Sequence, residues 1–303
     1  MSQSDPTTNY TTSNYATSIE GNGQLLDGGS MFGNVPRPGW EKWIAPDHIG
    51  RIALACRCLL LIFEGVKVLC ETGIGAFFEP KMADRYGVQN ARRHMLLENL
   101  IAAGHPADTI DYVILSHLHF DHAGGLLPTF DEIANGNNQL VFPKAKFVVG
   151  EKAWERALHP HPRDKASFIP GLTDKLIASG RLLVIPRDTL PAPLAERLEF
   201  LTTEGHTPGH MHTLYKGDQE KIFFCGDLIP GRAWVHLPIT MGYDRFPEQL
   251  IDEKAQMYLR AEKEDWVLFF THDPKVAASH LRRSSVGKYE PAQELISLDH
   301  FPI

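Results

Sequence analysis

Three histidines and one aspartate lie within six residues of one another, in the segment Ser116-His117-Leu118-His119-Phe120-Asp121-His122. An apolar run at residues 111–116 leads into this segment and predicts a short strand. His117 and His119 stand two apart, so an extended backbone directs both imidazoles to one side. Asp121 and His122 follow in a turn. Because imidazoles and carboxylates bind metals and a strand end holds them rigidly, the segment predicts a metal site.

Three later segments also place a ligand-type residue at the end of an apolar run. They are His206 in Gly205-His206-Thr207-Pro208-Gly209-His210, Asp227 after Phe223-Phe224-Cys225-Gly226, and His272 after Phe269-Phe270-Thr271. A single histidine or aspartate after a strand is more often a cap than a ligand. The interpretation of these three residues as ligands therefore depends on the presence of the cluster at 117–122. We expect His210 to pack beside the site rather than bind the metal.

The composition excludes several classes of function. The 303-residue chain has a net charge of −7, which gives it no general attraction for phosphate backbones, so we expect no nucleic-acid partner. The longest apolar stretch, residues 52–63, contains Arg57 and is too short to span a bilayer, so we expect no membrane partner. The four cysteines lack metal-site spacing and indicate buried free thiols in a reducing compartment. Together these features predict a cytoplasmic, soluble protein.

The N-terminal residues 1–22 are rich in Ser, Thr and Asn at their start and lack the pattern of a signal peptide. We interpret them as a disordered lead-in, followed by a single domain over residues 23–303.

Strands and helices alternate in a pattern that favours two packed sheets with helices outside, rather than one doubly wound sheet. Residues 51–63 and 66–70 predict a β-hairpin, and residues 92–103 and 247–261 predict helices. Further predicted strands cover residues 146–149, 182–185, 198–202, 212–215, 221–225 and 266–270.

Taken in order, the HxHxDH, GHTPGH, strand-Gly-Asp and strand-His motifs resemble those of the metallo-β-lactamase fold hydrolases, from about residue 51 to residue 272. The resemblance implies an α+β fold, a four-layer αββα sandwich with two metal ions at one edge of the sheets. It implies that the first ion is held by His117, His119 and His206. The second would be held by Asp121, His122 and His272, and Asp227 would bridge the two ions. Imidazoles and carboxylates without thiolates suit two divalent ions, foremost Zn²⁺, although iron, manganese or cobalt also fit.

Within the family, SHLHFDHAGG, GHTPGHMH, LLDGGSMFG and FFTHD look most like the branch that contains N-acyl homoserine lactone lactonases and methyl parathion hydrolase. The resemblance implies a quorum-quenching type of lactonase that opens a small lactone or ester by attack of a metal-bridging hydroxide. Asp121 and Asp227 would be catalytic, with Asp121 carrying a proton to the leaving alkoxide. It also suggests an apolar pocket that includes Met31, Phe32, Phe77 and Phe78, for which a role in the core is an equal alternative.

Two positions depart from this pattern. Pro230 stands where such lactonases commonly carry a tyrosine that contacts the substrate carbonyl, and His236 or Tyr243 are the candidates to replace it. Glu71 stands where relatives usually have aspartate. Because its side chain is one methylene longer, the contact made by its carboxylate must shift. We expect Thr207 and Asp273 to orient ligand imidazoles.

Three alternatives stay open on the same fold. A phosphotriesterase or arylesterase would use much the same ligands. A glyoxalase II-type thioesterase is disfavoured, because the sequence shows no basic cluster suited to a glutathione carboxylate. An iron-dependent oxidoreductase is disfavoured by His119, where the oxygen-reducing relatives have glutamate. The resemblance also allows a homodimer.

Overall fold

The computed structural model describes residues 14–186, 189–190 and 192–303. The strands are β1 (Tyr15–Glu20), β2 (Gln24–Asp27), β3 (Arg51–Leu54), β4 (Arg57–Phe63), β5 (Val66–Cys70), β6 (Tyr112–Leu115), β7 (Lys146–Gly150), β8 (Leu182–Ile185), β9 (Leu198–Thr203), β10 (His210–Lys216), β11 (Lys221–Phe224), β12 (Trp266–Phe269), β13 (Ala278–Arg283), β14 (Tyr289–Leu295) and β15 (Phe301–Pro302). The α-helices are α1 (Gly28–Phe32), α2 (Arg37–Trp40), α3 (Pro80–Arg85), α4 (Met95–Ala102), α5 (Phe120–Ala123), α6 (Phe130–Ala134), α7 (Glu151–Leu158), α8 (Leu172–Ala178) and α9 (Pro247–Glu264). Short 3₁₀ helices cover Ala107–Thr109, Gly124–Leu126, Lys165–Ser167, Leu194–Glu196, Gly226–Leu228 and Arg232–Val235.

Two large sheets form the centre of the molecule. The first has seven strands in the order β15-β1-β4-β5-β6-β7-β8, and the second has six in the order β14-β13-β12-β11-β10-β9. Strands β5 to β8 are parallel in the first sheet, and β11 and β12 are parallel in the second, while the other neighbours are antiparallel. β2 and β3 form a separate two-stranded sheet.

Strand β4 shows why the first sheet is buried on both faces. All seven of its residues are buried, in the sequence Arg-Cys-Leu-Leu-Leu-Ile-Phe. Because side chains alternate along a strand, Leu59, Leu61 and Phe63 pack towards the second sheet, whereas Leu60 and Ile62 pack towards helices. A continuous apolar run is typical of a strand that is covered on both sides.

Four layers follow from these cores. Leu96 of α4 and Leu176 of α8 cover the outer face of the first sheet, and Leu250 and Tyr258 of α9 cover the outer face of the second. The predicted αββα sandwich is therefore confirmed. α9 is the longest described helix, at 18 residues, and no described helix is long and apolar enough to cross a membrane.

The predicted strand at residues 51–63 is two strands in two different sheets. Strand structure is interrupted at Ala55 and Cys56, which separate β3 from β4. The hairpin is therefore formed by β4 and β5 alone. The backbone N–H of Ala55 donates to the carbonyl of His272, at 3.2 Å. The backbone N–H of Ala55 therefore bonds to the loop that contains His272 instead of continuing the strand pairing.

The predicted disordered lead-in at residues 1–22 is wrong from Tyr15 onwards, because β1 pairs along its whole length with β4. Despite its polar composition, this segment forms a strand that pairs with β4 and β15 through its backbone, and Ala16 and Ile19 are buried. The domain therefore begins before residue 23. Residues 1–13 of that prediction lie outside the described residues.

Candidate metal centre

The seven predicted ligands lie at strand ends that meet at one edge of the two sheets. His117, His119, Asp121 and His122 follow β6 in the first sheet. In the second sheet, His206 follows β9, Asp227 follows β11 and His272 follows β12. All of them except Asp121 are buried, and Asp121 retains 13% exposure of its side chain.

The ligand atoms form two groups. One atom each from His117, His119 and His206 lie within 4.8 Å of one another. The same spacing holds for Asp121, His122 and His272. These are the two sets that the family resemblance implies for the two expected ions.

Asp227 lies between the two groups. Its Oδ2 is 3.1 Å from His206 Nε2 and 3.3 Å from His122 Nε2, and its Oδ1 is 3.1 Å from His272 Nε2. Burial alone raises the pKa of Asp227, but the imidazoles of these three histidines hold it well below its usual value. The carboxylate is therefore an anion placed to contact both groups.

Four ligand histidines have a hydrogen-bond partner at Nδ1, so that Nε2 is the nitrogen that faces the centre. His122 Nδ1 donates to Glu71 at 2.6 Å and His206 Nδ1 donates to Asp244 at 2.8 Å. His272 Nδ1 donates to the carbonyl of Ala55 at 2.7 Å. His117 Nδ1 lies 2.9 Å from the Ser116 hydroxyl, which in turn bonds to Glu71. Metal-binding histidines are oriented in this way.

The donor set fits divalent metal ions. Among the described residues, the Nε2 atoms of His117 and His119 are buried without a hydrogen-bond partner, and that of His206 has only the Asp227 carboxylate beside it, at 3.1 Å. His122 Nε2 and His272 Nε2 lie 3.4 Å apart, and both face the Asp227 carboxylate. Such nitrogens are satisfied by a cation.

Burial and neighbouring carboxylates shift the pKa values of the ligand histidines in opposite directions. Burial and the neighbouring His206 imidazole lower the pKa of His119 to about 3, so it is neutral and ready to bind a metal. Burial also lowers the pKa of His122, but Glu71, Asp227 and Asp121 overcome this effect and raise it well above its ordinary value. A metal ion at the second group would therefore displace a proton on binding.

Two expectations about orienting residues are wrong. Asp273 accepts hydrogen bonds from Arg232 and from the backbone of Lys275 and Val276, and the Thr207 hydroxyl has no partner among the described residues. Glu71 and Asp244 orient imidazoles instead. His210 lies beside the centre as expected, with Nε2 at 3.4 Å from the backbone nitrogen of Asp227.

A cavity of about 380 Å³ opens above the centre. Apolar and aromatic side chains form part of its wall: Leu26, Met31, Tyr86, Phe120, Met241 and Tyr243. Asp121, Asp227 and three of the ligand histidines lie at its floor, and Arg85 and Arg163 also line it. A mostly apolar cleft with a few converging polar groups is typical of a small-molecule site.

Of the six predicted pocket residues, the structure brings Met31 and Tyr243 to this cavity. Phe32 does not line it, because successive helical residues point about 100° apart and its ring stacks on Trp234 in the core, at 4.5 Å between centroids. Phe77 packs on Phe78, which lines a different cavity. His236 lines a groove elsewhere on the surface. The pocket prediction is therefore wrong for these four residues.

The sequence did not single out Tyr86, Arg85, Arg163 or Asp244. None of these residues lies in a motif, and each reaches the site only through folding. For Asp244, the carboxylate follows no apolar strand and gives no local signal of its contact with His206.

Comparison with known proteins agrees with this geometry. The family model described as the Metallo-beta-lactamase superfamily matches residues 51–272. An N-acyl homoserine lactonase of Bacillus thuringiensis is 27% identical over 234 residues, which cover 71% of this chain and 80% of the relative. A metallo-beta-lactamase fold-containing protein of Sulfurisphaera tokodaii is 24% identical over 198 residues, 62% of this chain and 71% of the relative.

Two solved structures share the fold. A probable metal-dependent hydrolase from Staphylococcus aureus superposes with a TM-score of 0.80 at 24% identity, over 94% of this chain and 99% of the other. A dizinc quorum-quenching lactonase in complex with a product superposes with a TM-score of 0.69 at 21% identity, over 92% of this chain and 95% of the other.

Proposed function

Because the chain belongs to the metallo-β-lactamase superfamily, we propose that it opens lactones, or hydrolyses related esters, at a centre of two divalent metal ions. Its family and relatives make the chain a hydrolase. The relatives named as N-acyl homoserine lactonases support a lactone as the substrate. The observation that carries the two-metal centre is the Asp227 carboxylate, which lies between two groups of three ligand atoms.

Zn²⁺ is the metal we propose. Five imidazoles and two carboxylates suit a borderline ion, and no cysteine belongs to the set. Such ions supply Lewis acidity, which makes water a nucleophile near neutral pH and neutralises charge that develops on a carbonyl oxygen.

Asp121 is the residue we propose to move the proton. It lies at the floor of the cavity and keeps some exposure to it, whereas Asp227 is enclosed by imidazoles. Gln24 Nε2 donates to Asp121 Oδ2 at 2.8 Å and so fixes the direction of the carboxylate. A carboxylate held in this way can pass a proton to the leaving alkoxide.

Tyr243 is the residue we propose to replace the tyrosine of related lactonases. Pro230 has no side-chain donor, and its carbonyl accepts from the backbone of His272 at 2.9 Å. Tyr243 lines the cavity, and partial burial raises the pKa of its phenol. The phenol therefore stays protonated at neutral pH and can donate to a substrate carbonyl.

The test compares metal content with turnover. We expect the purified chain to bind two zinc ions and to hydrolyse a chromogenic lactone. His117→Ala or Asp227→Ala should lower the metal content, and each should lower kcat/KM by at least about 100-fold. The exposed His159, replaced by alanine, is the matched control and should leave both unchanged.

A chromogenic phosphotriester measured beside the lactone distinguishes the alternative hydrolase. A higher kcat/KM for the phosphotriester would move the assignment to that class. Full activity in a variant that has lost its metal would contradict the two-metal proposal.

A further inference from the structure

Two arginines line the cavity above the metal centre, and the proposed hydrolysis uses neither of them. Arg85 ends α3, and Arg163 lies in the loop after α7. Arg85 is exposed and forms no ion pair with a carboxylate among the described residues. Arg163 Nη2 donates to the carbonyls of Gly242 and Asp244, at 2.7 and 3.4 Å. Both guanidinium groups therefore lack a carboxylate partner within the described chain.

The carboxylates that line the same cavity are already compensated. Asp164 accepts two hydrogen bonds from Arg156, at 2.9 and 2.6 Å. Asp121 and Asp227 lie among the imidazoles of the metal centre. The lining of the cavity thus includes two arginines that no lining carboxylate compensates, although the chain as a whole has a net charge of −7.

Arg163 is held in place by the protein backbone. Its contacts to the carbonyls at 242 and 244 tie its loop to the loop that carries Tyr243. Arg245 adds a second tie, with Nη1 at 3.2 Å from His161 Nδ1. Carbonyl contacts position a guanidinium without neutralising it, so its charge remains available to a ligand.

We propose that the substrate carries an anionic group, a carboxylate or a phosphate, remote from the bond that is cleaved, and that Arg85 and Arg163 bind this group. The inference rests on the proposed function, because it places the scissile bond over the metal centre. Arginine presents a fork of donors that matches either anion. The apolar side chains of Leu26, Met31 and Met241 line the same cavity and suit a hydrocarbon chain between the two ends.

The first experiment measures equilibrium binding to the zinc-loaded protein by calorimetry. The probes are linear dicarboxylates from succinate to suberate, each compared with the monocarboxylate of the same length. We expect the best dicarboxylate to bind at least about tenfold more tightly than its monocarboxylate. A matching series with a phosphonate at the far end distinguishes the two kinds of anion.

Arg85→Gln and Arg163→Gln should each reduce this preference by about fivefold or more, without changing the zinc content. Arg92→Gln removes an exposed arginine that does not line the cavity and should leave the preference unchanged. The preference should also shrink as salt is added, because the arginines are accessible to solvent.

The second experiment measures kcat/KM for two aryl esters of equal length, a neutral valerate and a glutarate half-ester. Faster turnover of the half-ester, lost in the arginine variants through a higher KM, supports the inference. Equal binding of mono- and dicarboxylates, or a preference unaffected by both variants, would overturn it. Absence of turnover with every ester, while the dicarboxylate preference persists, would instead reject the proposed function and leave the anion site standing.

Discussion

At the scale of single residues, Glu71 links the two halves of the candidate centre. One carboxylate oxygen accepts from His122 Nδ1, and the other bonds to Ser116, which contacts His117 Nδ1. His122 and His117 belong to different ligand groups. Glu71, where the family resemblance leads us to expect aspartate, thus contacts one ligand directly and a second through Ser116.

Glu71→Gln should lower the affinity for zinc by about 10- to 100-fold, because the amide cannot accept from both partners as a carboxylate does. Competition with a chromogenic chelator measures the change at both sites. Glu41→Gln removes an exposed ion pair with Arg37 and serves as the control. An unchanged zinc affinity in Glu71→Gln would show that Glu71 does not orient the ligands.

The residues of the candidate centre differ in how far the local sequence predicts their role. His117, His119, Asp121 and His122 were predictable because their spacing alone places them together. Glu71 could be recognised as a departure from a pattern, but its contact with Ser116 could not. That contact depends on how β5 and β6 lie side by side in the sheet.

At the scale of elements, Arg57 connects the start of β4 to the loop that carries His272. Its side chain is buried, and Nη1 donates to the carbonyls of Phe270, Asp273 and Val276, at 3.1, 3.1 and 3.2 Å. The loop follows β12 of the second sheet, whereas β4 belongs to the first. One arginine therefore positions a ligand loop across the junction of the two sheets.

Arg57→Met should destabilise the protein by about 2 kcal/mol or more, because three buried carbonyls lose their donor. It should also weaken the second metal site, so that zinc titration gives one tight site instead of two. Urea unfolding and metal analysis measure these effects.

Arg181→Met is the matched control. Arg181 Nη1 also bonds two carbonyls, those of Phe142 and Ala145, but lies away from the centre. It should lower stability while leaving two zinc sites. Loss of a zinc site in both variants would mean that general destabilisation, rather than the His272 loop, is responsible.

Most elements were predictable where apolar patterning was clear, as in β6, β12 and α9. The prediction was wrong at β1, whose residues read as a polar lead-in, and at the break between β3 and β4. In both places, hydrogen bonds to backbone groups far along the chain decide the structure: β1 with β4, and Ala55 with His272. Side-chain periodicity does not report such bonds.

At the scale of the whole molecule, the candidate centre joins the two sheets. Four ligands come from the first sheet and three from the second. Without metal, buried carboxylates and imidazoles from both halves meet at this junction. A bound ion contributes its binding free energy to the folded state alone, so metal and stability should be coupled.

Removal of metal with a chelator should lower Tm by about 5 °C or more, and added zinc should restore it. Thermal unfolding followed by circular dichroism measures the change. Asp227→Ala should show a smaller response to the chelator, because its centre is already weakened. A Tm that does not depend on metal in the unmodified chain would contradict the coupling.

The homodimer and the cytoplasmic location stay predictions. Sedimentation of the purified protein at several concentrations tests the first.

The amino-acid sequence alone was enough to predict the layered fold and to single out the seven candidate ligands. Both depend on short-range patterns, namely alternation within strands and the spacing of ligands at strand ends. The wall of the cavity, the contacts of Glu71, Asp244 and Arg57, and the uncompensated charge of Arg85 and Arg163 emerged only in the folded chain. These features arise where residues distant in sequence come into contact, and burial and charge balance at such contacts depend on every element that packs there.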